Sequence, residues 1–310
     1  MKRFLLFLLT LVLVYLGVIL GAKIVWACFF PKTLAKDFIP ADVHTIVIGA
    51  SHGECSWDDG IILGTKNLCS SGFTNLDAYY ELKYCLDKCN SRIDTVILAQ
   101  TITNYILYDD ELFNKKSTII YSEQRALLDY KLFFETYRSC PNYYKTQVGS
   151  ARWIKSLLDC PYSKGFMPMY KNRMSDANYL DIDRIIMKTG GREGLTSEFL
   201  RDNYSLQIKW LKAISDLCYE NGIVLTILCP PLFRIPDMIS FNGFYHILCE
   251  VLPAETLVAD YSRFPMPDST YFSDPQHVGH KGAFYFSKQI AANGIEYHPV
   301  SYYLLHDTAN

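Results

Sequence analysis

The sequence predicts an α/β fold in which a mostly parallel sheet is covered by helices. Two observations predict it. Short, nearly continuous apolar runs such as "VHTIVIG", "DTVILAQT" and "IVLTILCPP" recur along the chain, which is how strands buried on both faces read. Stretches with helical apolar spacing separate them, supplying the crossovers that parallel strands require.

The elements follow in order. Lys2 and Arg3 precede a stretch without charge from Phe4 to Ala22. Nineteen residues at about 1.5 Å each give roughly 28 Å, close to the hydrocarbon thickness of a bilayer. The leading positive charges favour a cytoplasmic N-terminus. Residues 1–30 are therefore expected to form an uncleaved signal anchor, with the rest of the chain outside the cytoplasm. The competing readings are cleavage after Ala22 and a lipoprotein-like site at "VWAC", ending at Cys28. Residues 31–42, "PKTLAKDFIPAD", read as a linker.

The domain is expected over 43–310. Strands are predicted at 43–49 and 65–72, then a helix at 74–90. Thr74 can cap that helix with Asp77, and Leu76, Tyr79, Leu82, Leu86 and Cys89 form one stripe. A third strand is predicted at 94–101. Residues 105–195 break the rhythm: they are rich in Tyr, Lys and Asp, with helical patches at 122–138 and 150–158 and a loop at 163–176. They read as an insertion, a candidate lid. The regular pattern resumes with a long helix at 197–220, ended by Asn221-Gly222. A strand at 223–231, a helix near 237–250, a fifth strand at 255–260 and a last helix at about 280–293 complete the domain.

Composition excludes some functions. The chain has 310 residues and a formal net charge of −2, with no run of Lys and Arg, so nothing draws in a nucleic acid. Removing the first segment leaves about 280 residues, enough for a sizeable core. The ten cysteines make no zinc pattern and read mainly as small buried apolar residues, with one or two disulfides left open. Asp58 and Asp59 have no His or third acid near them in sequence. They read as a helix N-terminal turn, and no metal is expected.

Chemistry concentrates at two places. In "IVIGASHGE", Ser51 sits just past the end of the first strand. A serine hydroxyl needs a base, usually His, and that His needs a carboxylate to orient it. The loop "YFSDPQHVGHKG" carries Asp274 and His277 three apart, after the fifth strand. In a parallel sheet both loops lie at the carboxyl ends of the strands, where ligands bind. The bland alternatives are a helix cap for Ser51, a turn residue for Asp274 and a surface histidine for His277, with His280 as its rival. Cys55 invites a thiol mechanism, but no separate base is implied for it.

These blocks resemble the SGNH hydrolase superfamily, also called the GDSL family. "IGASHG" with Ser51 is similar to its nucleophile block, and "NLCSSGF" with Gly72 to its oxyanion glycine block. "LAQTITNY" is the nearest to its third block, with Asn104, Thr101 or Thr103 as oxyanion donor. "DPQH" with Asp274 and His277 is similar to its last block. The resemblance covers about 43–293, outside the insertion, and departs from the family at Ala50 and in the third block. It implies a flavodoxin-like three-layer sandwich with a mostly parallel five-stranded sheet, and a Ser51–His277–Asp274 triad with oxyanion donors at Gly72 and Asn104. It further implies, without any cofactor, a membrane-anchored esterase or acyltransferase acting outside the cytoplasm, periplasmic or extracellular. Its partner is an acylated polysaccharide or cell-wall glycan carrying O-acyl, chiefly O-acetyl, groups. The alternative is a non-catalytic glycan-binding or assembly protein that retains the fold. "GASHG" also fits the nucleophile elbow of α/β-hydrolases, but only the anchor and linker come before its strand, and no earlier strand supplies their oxyanion loop.

Overall fold

A computed structural model describes residues 2–34, 39–89, 92–107, 110, 166–169, 186–187, 191 and 195–306; in the N-terminal helix, side chains are described for 2–18 and 21. Helix α1 spans Lys2–Leu34. The elements that follow are β1 (Thr45–Gly49), α2 (Ser51–Ser56), β2 (Thr65–Asn67), α3 (Asn75–Lys88), β3 (Thr95–Ala99) and α4 (Ile102–Leu107). After the expected insertion come α5 (Ser197–Asn203), α6 (Ser205–Glu220), β4 (Val224–Cys229), α7 (Ile235–Met238), α8 (Asn242–Val251) and β5 (Leu257–Asp260). The chain closes with β6 (Phe272–Asp274), β7 (His277–Val278), α9 (His280–Asn293), β8 (His298–Pro299) and α10 (Val300–His306).

The central sheet has six strands in the order β2-β1-β3-β4-β5-β8. The first five are parallel, and β8 closes the β5 edge antiparallel. Successive strand residues face opposite ways, so β1, β3, β4 and β5 each serve two cores. Ile46, Ile48, Val96, Leu98 and Ile227 join Leu82 and Cys85 of α3, Leu211 and Ile214 of α6 and Phe244 of α8 in one buried cluster. Val47, Ile97, Ala99, Leu228 and Ala259 join Trp57 and, from α9, Phe286 and Ile290 in the other. Helix, sheet and helix therefore stack as three layers.

The structure corrects several boundaries. The sheet has a sixth strand, β8, which is two residues long and contains Pro299. The strand expected over 65–72 stops at Asn67, and 70–73 is a turn closed by Phe73 N donating to Ser70 O. The single long helix expected at 197–220 is two, separated at Tyr204, whose backbone (φ −133°, ψ 30°) leaves the helical region. The Tyr204 ring is fully buried there. Asp110 caps the restart, accepting from Ser205 N and Leu206 N at 3.0 Å each. The helix expected near 237–250 likewise divides into α7 and α8. Asp58 and Asp59 do not begin a helix: they form the turn after α2, where Asp58 accepts from Gly60 N and Asp59 holds Lys66 Nζ and Asn67 N.

The helical patches expected at 122–138 and 150–158 lie outside the described residues, as does most of the 105–195 insertion. The described side chains of α1 are exposed, Phe4 through Val18 among them. The expected membrane span is not supported by the structure, because among the described residues no helix is long and apolar enough to cross a membrane. That span, Phe4 to Ala22, runs past the last consecutively described side chain.

Candidate active site

The chain leaves β1 through a turn that admits no side chain at Gly49. Its φ is +139°, and a Cβ there would lie 2.2 Å from Ala99 O. Ala50 is extended, and α2 begins at Ser51. At Gly53 a Cβ would lie 2.5 Å from both the Ala99 Cβ and the Cys69 Sγ. The two glycines flanking Ser51 thus have packing reasons. One lets the chain turn off the sheet, and the other seats α2 against the end of β3.

Asp274 and His277 face each other across the short β6–β7 hairpin. Asp274 Oδ1 accepts from the backbone N–H of Gln276 (2.9 Å) and of His277 (3.0 Å). The His277 Nδ1 lies 2.9 and 3.0 Å from the two carboxylate oxygens. A carboxylate so placed accepts a hydrogen bond from Nδ1–H, which keeps the proton on Nδ1 and leaves Nε2 bare. Nε2 lies 2.7 Å from Ser51 Oγ, across 226 residues of sequence. Ser51 is half-buried. Burial pushes the Asp274 carboxyl upward, but the hydrogen bond and charge of His277, with the Gln276 and His277 amides, outweigh it and hold the pKa below the usual value.

The oxyanion candidates are placed differently. Gly72 (φ +79°) lies in the turn after β2. Ser70 N donates to Gly49 O, and Ser71 Oγ donates to Glu54, which ties that turn to the Ser51 loop and α2. Asn104 turns its side-chain oxygen back on its own loop, accepting from Thr101 N (2.7 Å) and Thr101 Oγ1 (3.1 Å). The structure gives it a capping role at the start of α4 and no hydrogen bond to the triad. Thr103 reaches further in, to His52 Nε2 at 3.0 Å.

His52 is the residue that sequence reasoning passed over. Its ring stacks on His277, centroids 4.9 Å apart and planes 16° apart. Burial, then the neighbouring His277, push its pKa down to about 3, against the opposing pull of Asp274 and Gln276. The only signal was its place directly after Ser51. Cys55 is buried, and burial with Glu54 and Asp274 nearby pushes its thiol up to about 12, so it stays protonated. Among the seven cysteines whose side chains are described, no two are joined in a disulfide. Among the described residues, no group of three or more His, Cys, Asp or Glu could hold a metal ion.

One stretch of the expected insertion reaches the site. Met167 N donates to Glu54 O at 3.1 Å, and Met169 O accepts from His280 N at 2.9 Å. Residues 166–169 therefore join the flank of the Ser51 helix to the start of α9, three residues after His277. Phe166 and Met169 pack on Cys55, Phe272, Val278 and Ala283.

This arrangement can draw a proton from Ser51 into His277 and return it, with Asp274 holding the ring. No protein-family model matches the chain, and no curated protein matches it.

Proposed function

We propose that this chain is a serine esterase or acyltransferase of the SGNH type. The observation that carries the reading is the unbroken contact Ser51 Oγ–His277 Nε2–Asp274, at 2.7 Å and then 2.9 Å. Ser51 attacks an acyl carbonyl while His277 Nε2 accepts its proton. The tetrahedral oxyanion is met by the backbone amides of Ser51 and Gly72. His277 then gives the proton to the leaving alkoxide oxygen, and an acyl-enzyme remains. Water, or a second hydroxyl, repeats the sequence and frees Ser51. The residues need no cofactor for this.

The substrate we infer is an O-acyl, chiefly O-acetyl, ester on a cell-surface glycan, with the protein held by its N-terminal helix and the domain outside the cytoplasm. The uncharged run Phe4–Ala22 after Lys2 and Arg3 supports the anchor. The glycan rests on that location and on the family resemblance. A binding protein without catalysis is the second reading; the close Ser51–His277 contact argues against it.

The test is labelling of the full-length chain with a serine-reactive fluorophosphonate, mapped by mass spectrometry, with Ser51→Ala and His277→Ala beside it. An adduct on Ser51 that is lost in both variants is the expected result. A folded wild-type chain that takes no adduct would sink the hydrolase and favour the binding role.

A further inference from the structure

His52 takes no part in the proton transfer between Ser51 and His277, yet its ring is buried and held against the site. It is 3% exposed. One face lies on His277, and Nε2 lies 3.0 Å from Thr103 Oγ1. Counting protons along that edge decides the tautomer. Asn104 Oδ1 only accepts, so Thr101 Oγ1 donates to it. Thr101 then has no proton left for Thr103, 2.6 Å away, so Thr103 donates to Thr101. Thr103 has none left in turn, so His52 Nε2 carries the proton and donates to Thr103. Nδ1 is the ring's remaining polar atom, and the Gln276 side chain lies beside it.

The geometry of His277 explains what such a neighbour does. Asp274 and Ser51 fix its ring at Nδ1 and Nε2. Two points along a ring leave it free to tilt about the line between them. A contact on the ring face removes that freedom.

We propose that His52 is a positioning residue for the base: stacked on one face of His277 and anchored at its edge by Thr103, it keeps the imidazole in the plane that joins Asp274 to Ser51 Oγ. The inference rests on the hydrolase reading of the site and deepens it. It gives residues 101–104 a different task from oxyanion binding. Thr101, Thr103 and Asn104 form the rail that orients His52. His52 must also stay uncharged, because a second cation against the imidazolium formed on His277 would oppose proton transfer; its burial meets that need.

The experiment compares full-length wild type with Thr103→Val, Thr103→Ser and His52→Ala, using two readouts. The first is the rate of fluorophosphonate labelling at Ser51. Thr103→Val should lower it roughly 10-fold, since small misplacement of a catalytic group is costly. His52→Ala should lower it further, and Thr103→Ser should restore it. The second is the proton resonance of His277 Nδ1–H in chain labelled with ¹⁵N-histidine. It should be sharp in wild type and Thr103→Ser, and broadened in Thr103→Val and His52→Ala, with Thr103→Val still unfolding cooperatively at a somewhat lowered midpoint, since a buried hydrogen bond is lost. A sharp resonance and wild-type labelling in both Thr103→Val and His52→Ala would overturn the proposal. If wild-type Ser51 takes no label, the hydrolase reading fails by itself, and the resonance alone decides whether His52 holds the ring.

Discussion

At the scale of single residues, two groups of the site with lowered pKa values make the protein sensitive to acid. His52 titrates near 3 when folded and near 6.5 otherwise. Between those values the unfolded chain binds a proton that the folded chain does not, so stability rises with pH across that window. The contribution is complete above 6.5 and is lost as pH falls toward 3. Asp274 is also depressed, so its contribution is present above the ordinary value of 3.8 and disappears as pH drops through its lower folded value. The urea midpoint should therefore fall as pH is lowered from about 6.5, by an amount on the order of a few kcal/mol in unfolding free energy. His52→Phe should flatten the upper part of that fall and leave the part belonging to Asp274. An unchanged profile in His52→Phe would mean that His52 does not stay neutral when folded.

At the scale of elements, α3 and β3 offer contrasting tests. The start of α3 is tied by Asp77, whose carboxylate accepts from both Thr74 N (2.8 Å) and Thr74 Oγ1 (2.7 Å). Asp77→Ala removes both bonds and should cost about 1 kcal/mol, as loss of a cap does. Leu98 lies in β3, fully buried, in the strand between β1 and β4. Leu98→Ala should cost about 2–5 kcal/mol because a cavity is left in a close-packed layer. Chemical denaturation of both variants checks the order; equal losses would show that β3 is not the centre of the core. Elements also show where local pattern stops being informative. The periodicity of 197–220 runs unbroken through Tyr204, but the chain leaves the helix there to bury that ring, and Asp110 supplies the new N-terminus.

At the scale of the whole molecule, the claim that needs testing is the anchor. Full-length chain should remain in the membrane pellet after high-salt and alkaline carbonate washes, because an apolar helix is held by burial in lipid rather than by charge. Release into the supernatant by carbonate would show peripheral attachment and remove the argument for an extracytoplasmic glycan. The described part of the insertion has a whole-molecule role as well. Residues 166–169 bond to Glu54 and His280, so the region expected between the third and fourth strands returns to the rim of the site.

What the sequence determined alone is what depends on neighbours in the chain. The alternation of apolar runs and helical stripes specifies a parallel α/β sheet, because burial on two faces leaves no polar alternation to read. The strand end before Ser51 and the Asp-x-x-His loop were also legible, since each is set by a few consecutive residues; that the loop pairs as the β6–β7 hairpin was not. The tertiary structure decided the rest. It brought Ser51 to 2.7 Å from His277 across 226 residues and added β8 as a paired edge too short to carry a pattern. It also turned Asn104 back into a cap and stacked His52 on His277. Each of these depends on which atoms meet when the layers close, and spacing along the chain holds no record of such meetings.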